Sequence, residues 1–245
     1  MSKTYEALKR AEALRAQQQP EETAGAPTAP PMTDLPVGDT DDFYELRRRL
    51  IASAVGDAVR TVLVVSALHG EGASSTACLL ARAMADRGRS RALLVDLNLR
   101  TPSLSRMLKA PGKDGITSVV SGARQLADVT QETPFDGVRV VTAGNGYAHA
   151  IDVIDNVRTL EALGDLGRHS DVVFIDAAPV TLYPDARALA PIVDGVILVI
   201  EADVTPVAVA NRAVELIRDT GANLLGVVLN KRRDYIPDRV LQLVG

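Results

Sequence analysis

The sequence has 245 residues, 47% of them hydrophobic, which is enough for one α/β domain plus an extension. The formal net charge of −4 gives none of the basic excess typical of nucleic-acid binding, so we expect no nucleic-acid partner. The single cysteine, Cys78, excludes an internal disulfide and is typical of a reducing compartment. No apolar run approaches the roughly 20 residues of a membrane span, and the polar start does not resemble a secretory signal. We therefore expect a cytoplasmic protein that reaches a membrane only through a partner.

The first 40 residues are predicted to precede the folded domain. Residues 1–19 indicate an amphipathic helix, because apolar residues recur at every third position from Tyr5 to Leu14. Such a short helix is marginal alone in water, so it is either a frayed surface helix or a segment that orders on a partner. Residues 20–40 contain five prolines among Ala, Thr and Gly, which predicts a flexible linker. The folded domain is predicted to span residues 41–245.

The domain is predicted to open with a helix over residues 41–59, which carries an arginine cluster at 47–49. The cluster is either a solvated face or part of an interface with a neighbouring subunit. From Thr61 onward, strands and helices alternate, which predicts a doubly wound, mostly parallel sheet with helices on both faces. The predicted strands are Val62–Ser66, Ala92–Asp96, Val138–Thr142, Val172–Asp176, Gly195–Ile200 and Leu224–Leu229, and the clearest helices are Ser74–Arg87 and Pro206–Thr220.

The stretch SALHGEGASST, between the first strand and its helix, comes close to the phosphate-binding pattern G-x-x-x-x-G-K-[ST]. The spacing is kept as Ala67-x4-Gly72-Ala73-Ser74, but Ala73 occupies the position of the lysine. A glycine loop followed by a helix N-terminus offers backbone N–H groups and a helix dipole to a phosphate. The sequence therefore predicts an anion site that has lost its fixed lysine charge.

Two aspartates, Asp96 and Asp176, each end an apolar strand at the sheet edge where the glycine loop is placed. Carboxylates beside a phosphate site suit Mg²⁺, although an aspartate at a strand end also commonly caps the next turn. The glycines with Asp96 about twenty residues further on also resemble a degraded dinucleotide fingerprint. Against that alternative, three residues separate the strand from Gly70, and Ser75 stands where the third glycine belongs.

Four stretches together resemble the bacterial tyrosine kinases of capsule and exopolysaccharide export, which are relatives of the MinD/ParA ATPases. SALHGEGASST is similar to the family's Walker A loop, LLVDLNLRTPSL to its second acidic motif, VVFIDAAPV to its Walker B motif and GVVLNK to its last strand. The resemblance covers residues 41 to about 234. It implies a P-loop NTPase-like fold, ATP or ADP with Mg²⁺ as ligands, and ATP-dependent protein-tyrosine (auto)kinase activity.

The resemblance also implies roles for particular residues. The loop residues that would cradle the phosphates are Gly70, Glu71, Gly72, Ala73, Ser74 and Ser75, and the residue that would contact the adenine is Asn230. Mg²⁺ would be held by Ser74, Asp96 and Asp176, with Asp96 alternatively accepting the proton of the attacking tyrosine. Arg100 would lie near the γ-phosphate. A partial match to the family's oligomerisation helix falls on Asp41, Tyr44 and Arg47.

Three departures from the family put its activity in question. Ala73 removes the loop lysine, and losing one fixed charge at a transition state costs about 3–4 kcal/mol. Asn98 replaces a second acid, and the C-terminal tyrosine cluster is reduced to a single tyrosine, the candidate phosphosite Tyr235. The sequence thus leaves two hypotheses open: a slowed kinase in which Arg100 or a neighbouring subunit's arginine replaces the lysine, and a non-catalytic regulatory scaffold. In both, the resemblance implies a membrane chain-length partner at the inner membrane and a possible homo-oligomer. A spatial-positioning ATPase of the MinD/ParA type is a weaker third alternative, because residues 66 to 76 contain no lysine.

Overall fold

A computed structural model describes residues 43, 48, 59–85, 90–145, 150–154 and 170–232. Its strands are β1 (Thr61–Ser66), β2 (Ala92–Asp96), β3 (Thr130–Glu132), β4 (Val138–Val141), β5 (Val172–Asp176), β6 (Gly195–Glu201) and β7 (Leu224–Asn230). Its helices are α1 (Ala73–Ala85), α2 (Leu104–Met107), α3 (Ile116–Val120), α4 (Leu126–Val129), α5 (Ala150–Ile154), α6 (Asp185–Leu189) and α7 (Val207–Arg218), with a 3₁₀ turn at Ala190–Ile192. The predicted helix at residues 1–19, the linker and nearly all of the 41–59 helix lie outside the described residues, except that Phe43 and Arg48 have helical backbones.

The described strands form one seven-stranded sheet in the order β3-β4-β2-β5-β1-β6-β7. Every pair is parallel except β3 with β4, so the predicted mostly parallel sheet is confirmed. The strands β2 and β5 have the predicted bounds. The sequence missed β3, because its three polar residues, TQE, carry no hydrophobic signal.

Helices cover both faces of the sheet, which explains why the central strands are apolar at every position. In β1, Leu63 and Val65 pack into one buried cluster with residues of α6 and α7. Val62 and Val64, which alternate with them, pack into a second cluster with residues of α1. Successive side chains of a strand point to opposite faces, so a strand covered on both sides buries them all. None of the described helices is long and apolar enough to span a bilayer.

Candidate nucleotide and metal site

The loop between β1 and α1 has the backbone that its glycines predict. Gly70 has φ 82° and Gly72 has φ 93°, both in the left-handed region that glycine adopts at no steric cost. A Cβ added at Gly72 would collide with the side-chain amide of Asn230, so this position also requires a residue that has no side chain. The helix begins directly afterwards, where the N–H of Thr76 donates to the carbonyl of Gly72 at 2.9 Å. The loop and the N-terminus of α1 therefore meet as a phosphate site requires.

The side chain of Glu71 is buried inside the protein. It is 3% exposed, and its carboxylate accepts the N–H of Leu68 at 2.7 Å and the hydroxyl of Thr205 in a short hydrogen bond. Thr205 precedes α7, so this carboxylate ties the loop to the neighbouring crossover. The side chain of Glu71 thus holds the loop in shape and leaves its backbone as the part that can meet a ligand.

Asp176, at the end of β5, contacts the first turn of α1. Its Oδ2 accepts the hydroxyl of Ser74 at 2.6 Å, whereas its Oδ1 is buried and has no hydrogen-bond partner among the residues that the structure describes. Burial and the charge of Asp96 raise the pKa of Asp176, and the bond from Ser74 opposes them. A buried carboxylate oxygen without a partner is costly, and a cation would offset that cost.

Asp96 ends β2 in register with Asp176, and it is equally buried. Its Oδ2 accepts the N–H groups of Ser103 and Leu104 at 3.1 and 3.0 Å, and its Oδ1 accepts that of Asn98 at 3.2 Å. Burial raises the pKa of Asp96 to about 6 even against these three bonds. Asp96 therefore caps the turn that follows its strand, which is one of the two roles its position predicted.

The two carboxylates, with Ser74, form a group that can hold part of a magnesium site. Among the described residues, no three His, Cys, Asp or Glu side chains gather into a metal-binding cluster. Mg²⁺ needs no such cluster, because it commonly binds one or two carboxylates and completes its shell with water and phosphate oxygens. The unpartnered Oδ1 of Asp176 beside the Ser74 hydroxyl fits that donor set.

Arg100 lies in a separate ion pair rather than free at the loop. Its guanidinium makes two bonds to Asp185, at 2.9 and 3.1 Å, and Asp185 is fully buried at the start of α6. The guanidinium also lies 4.8 Å from the centre of the Tyr183 ring, whose hydroxyl is 3.3 Å from Nε2 of His69 in the glycine loop. Asp185 and Tyr183 were not singled out from the sequence, because no local pattern distinguishes them from other residues of a surface loop.

The end of β7 closes the other side of the loop. The side-chain amide of Asn230 donates to the carbonyl of Glu71 at 2.8 Å. Lys231, the next residue, donates from Nζ to the carbonyl of Gly70 at 2.7 Å and pairs with Glu201 at 2.8 Å. The sequence predicted Asn230 at this site but missed Lys231, which stands beside it in GVVLNK.

Several characterised proteins are similar to this chain over most of its length. No protein-family model matches the sequence. Tyrosine-protein kinase CpsD of Streptococcus agalactiae is 28% identical over 198 residues, which cover 80% of this chain and 86% of CpsD. Tyrosine-protein kinase YwqD of Bacillus subtilis is 26% identical over 202 residues, covering 82% and 85% of the two chains. Succinoglycan biosynthesis transport protein ExoP of Rhizobium meliloti is 27% identical over 180 residues, 72% of this chain but only 23% of ExoP.

Solved structures agree on the fold. The kinase domain of Escherichia coli tyrosine kinase ETK superposes with a TM-score of 0.78 at 19% identity, over 90% of this chain and 89% of that one. The cell-division ATPase MinD of Pyrococcus furiosus gives 0.61 at 25% identity, over 76% and 79%. MinD of Pyrococcus horikoshii, solved with Mg-ADP, gives 0.61 at 23% identity, over 76% of both chains. This chain is similar to bacterial tyrosine kinases over most of its length and shares their fold.

Within a bacterial tyrosine kinase fold, the departures from the family's motifs have visible structural consequences. Ala73, where the family has its lysine, is 7% exposed and packs into the cluster beneath α1. Asn98, where the family has a second acid, uses its carbonyl oxygen to accept the N–H and hydroxyl of Thr101, both at 3.2 Å. It therefore holds the turn that carries Arg100. The predicted oligomerisation residues Asp41, Tyr44 and Arg47, and the predicted phosphosite Tyr235, lie outside the described residues.

Proposed function

We propose that this chain binds ATP with Mg²⁺ at the loop between β1 and α1 and works as a slow protein-tyrosine kinase. The observation that carries the proposal is the pairing of Ser74 with Asp176, whose second oxygen is buried and has no partner in the described part of the chain. A carboxylate kept in this state destabilises the ligand-free fold, so its presence is better explained by a cation that arrives with a ligand. Mg-ADP bound to the MinD of Pyrococcus horikoshii supports the same ligand class here.

In the proposed reaction each residue has one task. The backbone of residues 70–75 binds the phosphates, aided by the dipole of α1. Ser74 and Asp176 hold Mg²⁺, which neutralises phosphate charge when it is bound. With a pKa of about 6, Asp96 is mostly ionised at neutral pH and can accept the proton of a tyrosine hydroxyl. Asn230 positions the loop and contacts the adenine.

A second function, a nucleotide-binding regulator without kinase turnover, is favoured by a different observation. Ala73 is buried among apolar side chains and contributes no charge, and the oxygens of Asp96 are already bonded to three backbone N–H groups. Such a site would bind nucleotide and change shape with it, but would stabilise the transferring phosphoryl group poorly. The protein would then control polymer export by assembling with its partner.

Both functions place the chain in capsule or exopolysaccharide biosynthesis, as the relatives' names support. We propose that it is cytoplasmic and reaches the inner membrane through the cytoplasmic segment of a chain-length protein. The name of ExoP, a succinoglycan biosynthesis transport protein, supports this partner class, because a segment like this chain forms about a quarter of it. We further propose homo-oligomerisation through the predicted helix at residues 41–59.

The deciding experiment is calorimetry of ATP binding with and without Mg²⁺, on the wild type and on Asp176→Ala, followed by phosphate release and phosphotyrosine in the same samples. The matched control is Asp219→Ala, an exposed carboxylate at the end of α7. Loss of Mg²⁺-dependent binding in Asp176→Ala alone, with slow wild-type phosphotyrosine formation, supports the kinase. Binding without turnover, even with the partner segment added, supports the regulator, and no wild-type binding rejects both.

A further inference from the structure

The carbonyl of Gly70, in the loop between β1 and α1, accepts a hydrogen bond from the ammonium group of Lys231, which follows the edge strand β7. A loop that turns its N–H groups toward an anion turns carbonyls away from it, and these need donors of their own. The carbonyl of Gly70 has Nζ of Lys231 at 2.7 Å, and that of Glu71 has the Asn230 amide at 2.8 Å. Two consecutive residues at the end of β7 therefore hold two consecutive carbonyls of the loop.

Lys231 adopts an unusual backbone conformation to do so. Its φ is 57°, in the left-handed region that a lysine seldom occupies. Residues held in such regions persist where their surroundings fix them, and they cluster at functional sites. Here the terminal ammonium is held by two partners, the carbonyl of Gly70 and the carboxylate of Glu201, which is 2.8 Å from Nζ. The lysine is therefore held in place even though its side chain is 47% exposed.

The position of Nζ matters because the loop lacks a lysine of its own. Residues 66 to 76 contain none, and Ala73 is buried where the pattern would put one. Arg100, which we expected to replace that charge, is bonded twice to the buried carboxylate of Asp185. Lys231 is a cation in direct contact with the loop's backbone, and an ammonium there raises the electrostatic potential that a bound phosphate would meet.

We propose that Lys231 is the positioning residue that supplies, from the end of β7, the positive charge which Ala73 does not supply to a bound nucleoside polyphosphate. It does so by fixing the loop through the carbonyl of Gly70 and by adding a positive charge next to the loop whose N–H groups would bind the phosphates. Glu201 holds the ammonium in place before the nucleotide arrives. This inference rests on the proposed function, since it concerns nucleotide binding at the same loop.

The test compares affinities for MgATP, MgADP and AMP by calorimetry in wild type, Lys231→Met and Lys231→Arg. The control is Lys113→Met, an exposed lysine before α3. A charge acting on phosphates should matter more as the ligand carries more of them. We expect Lys231→Met to weaken MgATP about tenfold, MgADP less and AMP least, with Lys231→Arg retaining most of the affinity and the control unchanged. Equal losses for all three ligands, or none, would overturn the proposal.

A second comparison asks whether Lys231 and the missing lysine are interchangeable. Ala73→Lys restores the charge within the loop, so in that background Lys231→Met should cost less than threefold in MgATP affinity. An undiminished tenfold loss there would mean that Lys231 does not stand in for the loop lysine. If Lys231→Met fails to fold, as thermal unfolding will show, Lys231→Gln and the salt dependence of wild-type binding carry the same test. A wild type that binds no nucleotide rejects the proposed function together with this inference, whereas a binding wild type with an unaffected Lys231→Met rejects only the lysine's role.

Discussion

Asp96 and Asp176 end neighbouring parallel strands in direct register, and neither side chain is exposed to solvent. Burial raises the pKa of both carboxyl groups, that of Asp96 to about 6, and the charge of Asp96 raises the pKa of Asp176 further. The ligand-free protein thus stores two acids whose ionised forms are unfavourable together. A divalent cation bound between a nucleotide and these acids would remove that conflict.

The stability of the ligand-free protein should therefore fall as the pH rises from about 4 through 6. A carboxyl group with a raised folded pKa binds more protons in the folded than in the unfolded state across that window, so raising the pH favours unfolding. For Asp96, the shift from 3.8 to about 6 corresponds to about 3 kcal/mol. Urea unfolding at a series of pH values measures the change, and Asp176 adds to it in the same direction.

Other carboxylates change stability with pH too, so the prediction is isolated by difference. Asp176→Asn keeps an oxygen that can accept the Ser74 hydroxyl but removes the titrating charge. The gap in unfolding free energy between this variant and wild type should widen, in the variant's favour, as the pH rises above 4. A gap that stays constant with pH would show that Asp176 ionises without cost in the folded protein.

Replacing Gly72 by alanine should damage the loop more than replacing Gly70. Both glycines have left-handed backbones, which cost a residue with a side chain about 1–2 kcal/mol. At Gly70 the new methyl group meets no atom of the described residues within 4 Å, but at Gly72 it collides with the Asn230 amide that donates to the carbonyl of Glu71. We expect Gly70→Ala to cost about 1 kcal/mol of unfolding free energy and Gly72→Ala about 3, measured by urea unfolding.

Nucleotide affinity should separate the two glycine variants further. Gly72→Ala displaces the side chain of Asn230, whose amide donates to the carbonyl of Glu71 in the loop. MgATP binding should therefore weaken at least tenfold in calorimetry. Gly70→Ala serves as the matched control and should bind within threefold of wild type. Similar affinities for both variants would mean that the Asn230 contact does not shape the binding loop.

The ion pair between Arg100 and Asp185 should be chiefly structural. Asp185 is fully buried, so Arg100→Met leaves the charge of Asp185 without this partner. The variant should lose about 3 kcal/mol of unfolding free energy. Adding Asp185→Asn to that variant should recover much of the loss, because the orphaned charge is then gone. Urea unfolding of the two single variants and the double variant tests this. A double variant no more stable than Arg100→Met would contradict it.

The sheet could be predicted from the sequence because its central strands are buried on both faces. The continuous apolar runs of β2 and β5 fixed their bounds to the residue, whereas the three polar residues of β3 pair only through their backbone. The glycine loop and both strand-end aspartates were predicted because each lies inside a local motif. The motifs thus predicted where the glycine loop and the two aspartates lie, and the roles of these residues in binding remain predictions.

The contacts that shape the site could not be predicted, because they join residues far apart in the chain. Arg100 is 85 residues from Asp185, and Lys231 is 161 residues from Gly70. Neither pair lies within a single motif, and charged residues at the surface are usually solvated. The buried state of Asp185 and the left-handed backbone of Lys231 become visible only once the strands β5, β1, β6 and β7 are placed side by side.

Restoring the loop lysine with Ala73→Lys should speed phosphate release. A fixed charge that stabilises the transferring phosphoryl group is worth about 3–4 kcal/mol, so we expect a rate gain of about a hundredfold, less any cost of fitting a longer side chain at a position only 7% exposed. Ala73→Met is the matched control, since it adds similar bulk without charge. Release of phosphate from MgATP, measured at saturating nucleotide, compares the two. If both variants turn over at the wild-type rate, charge at position 73 does not limit the reaction, and the regulator would be the better account of this chain.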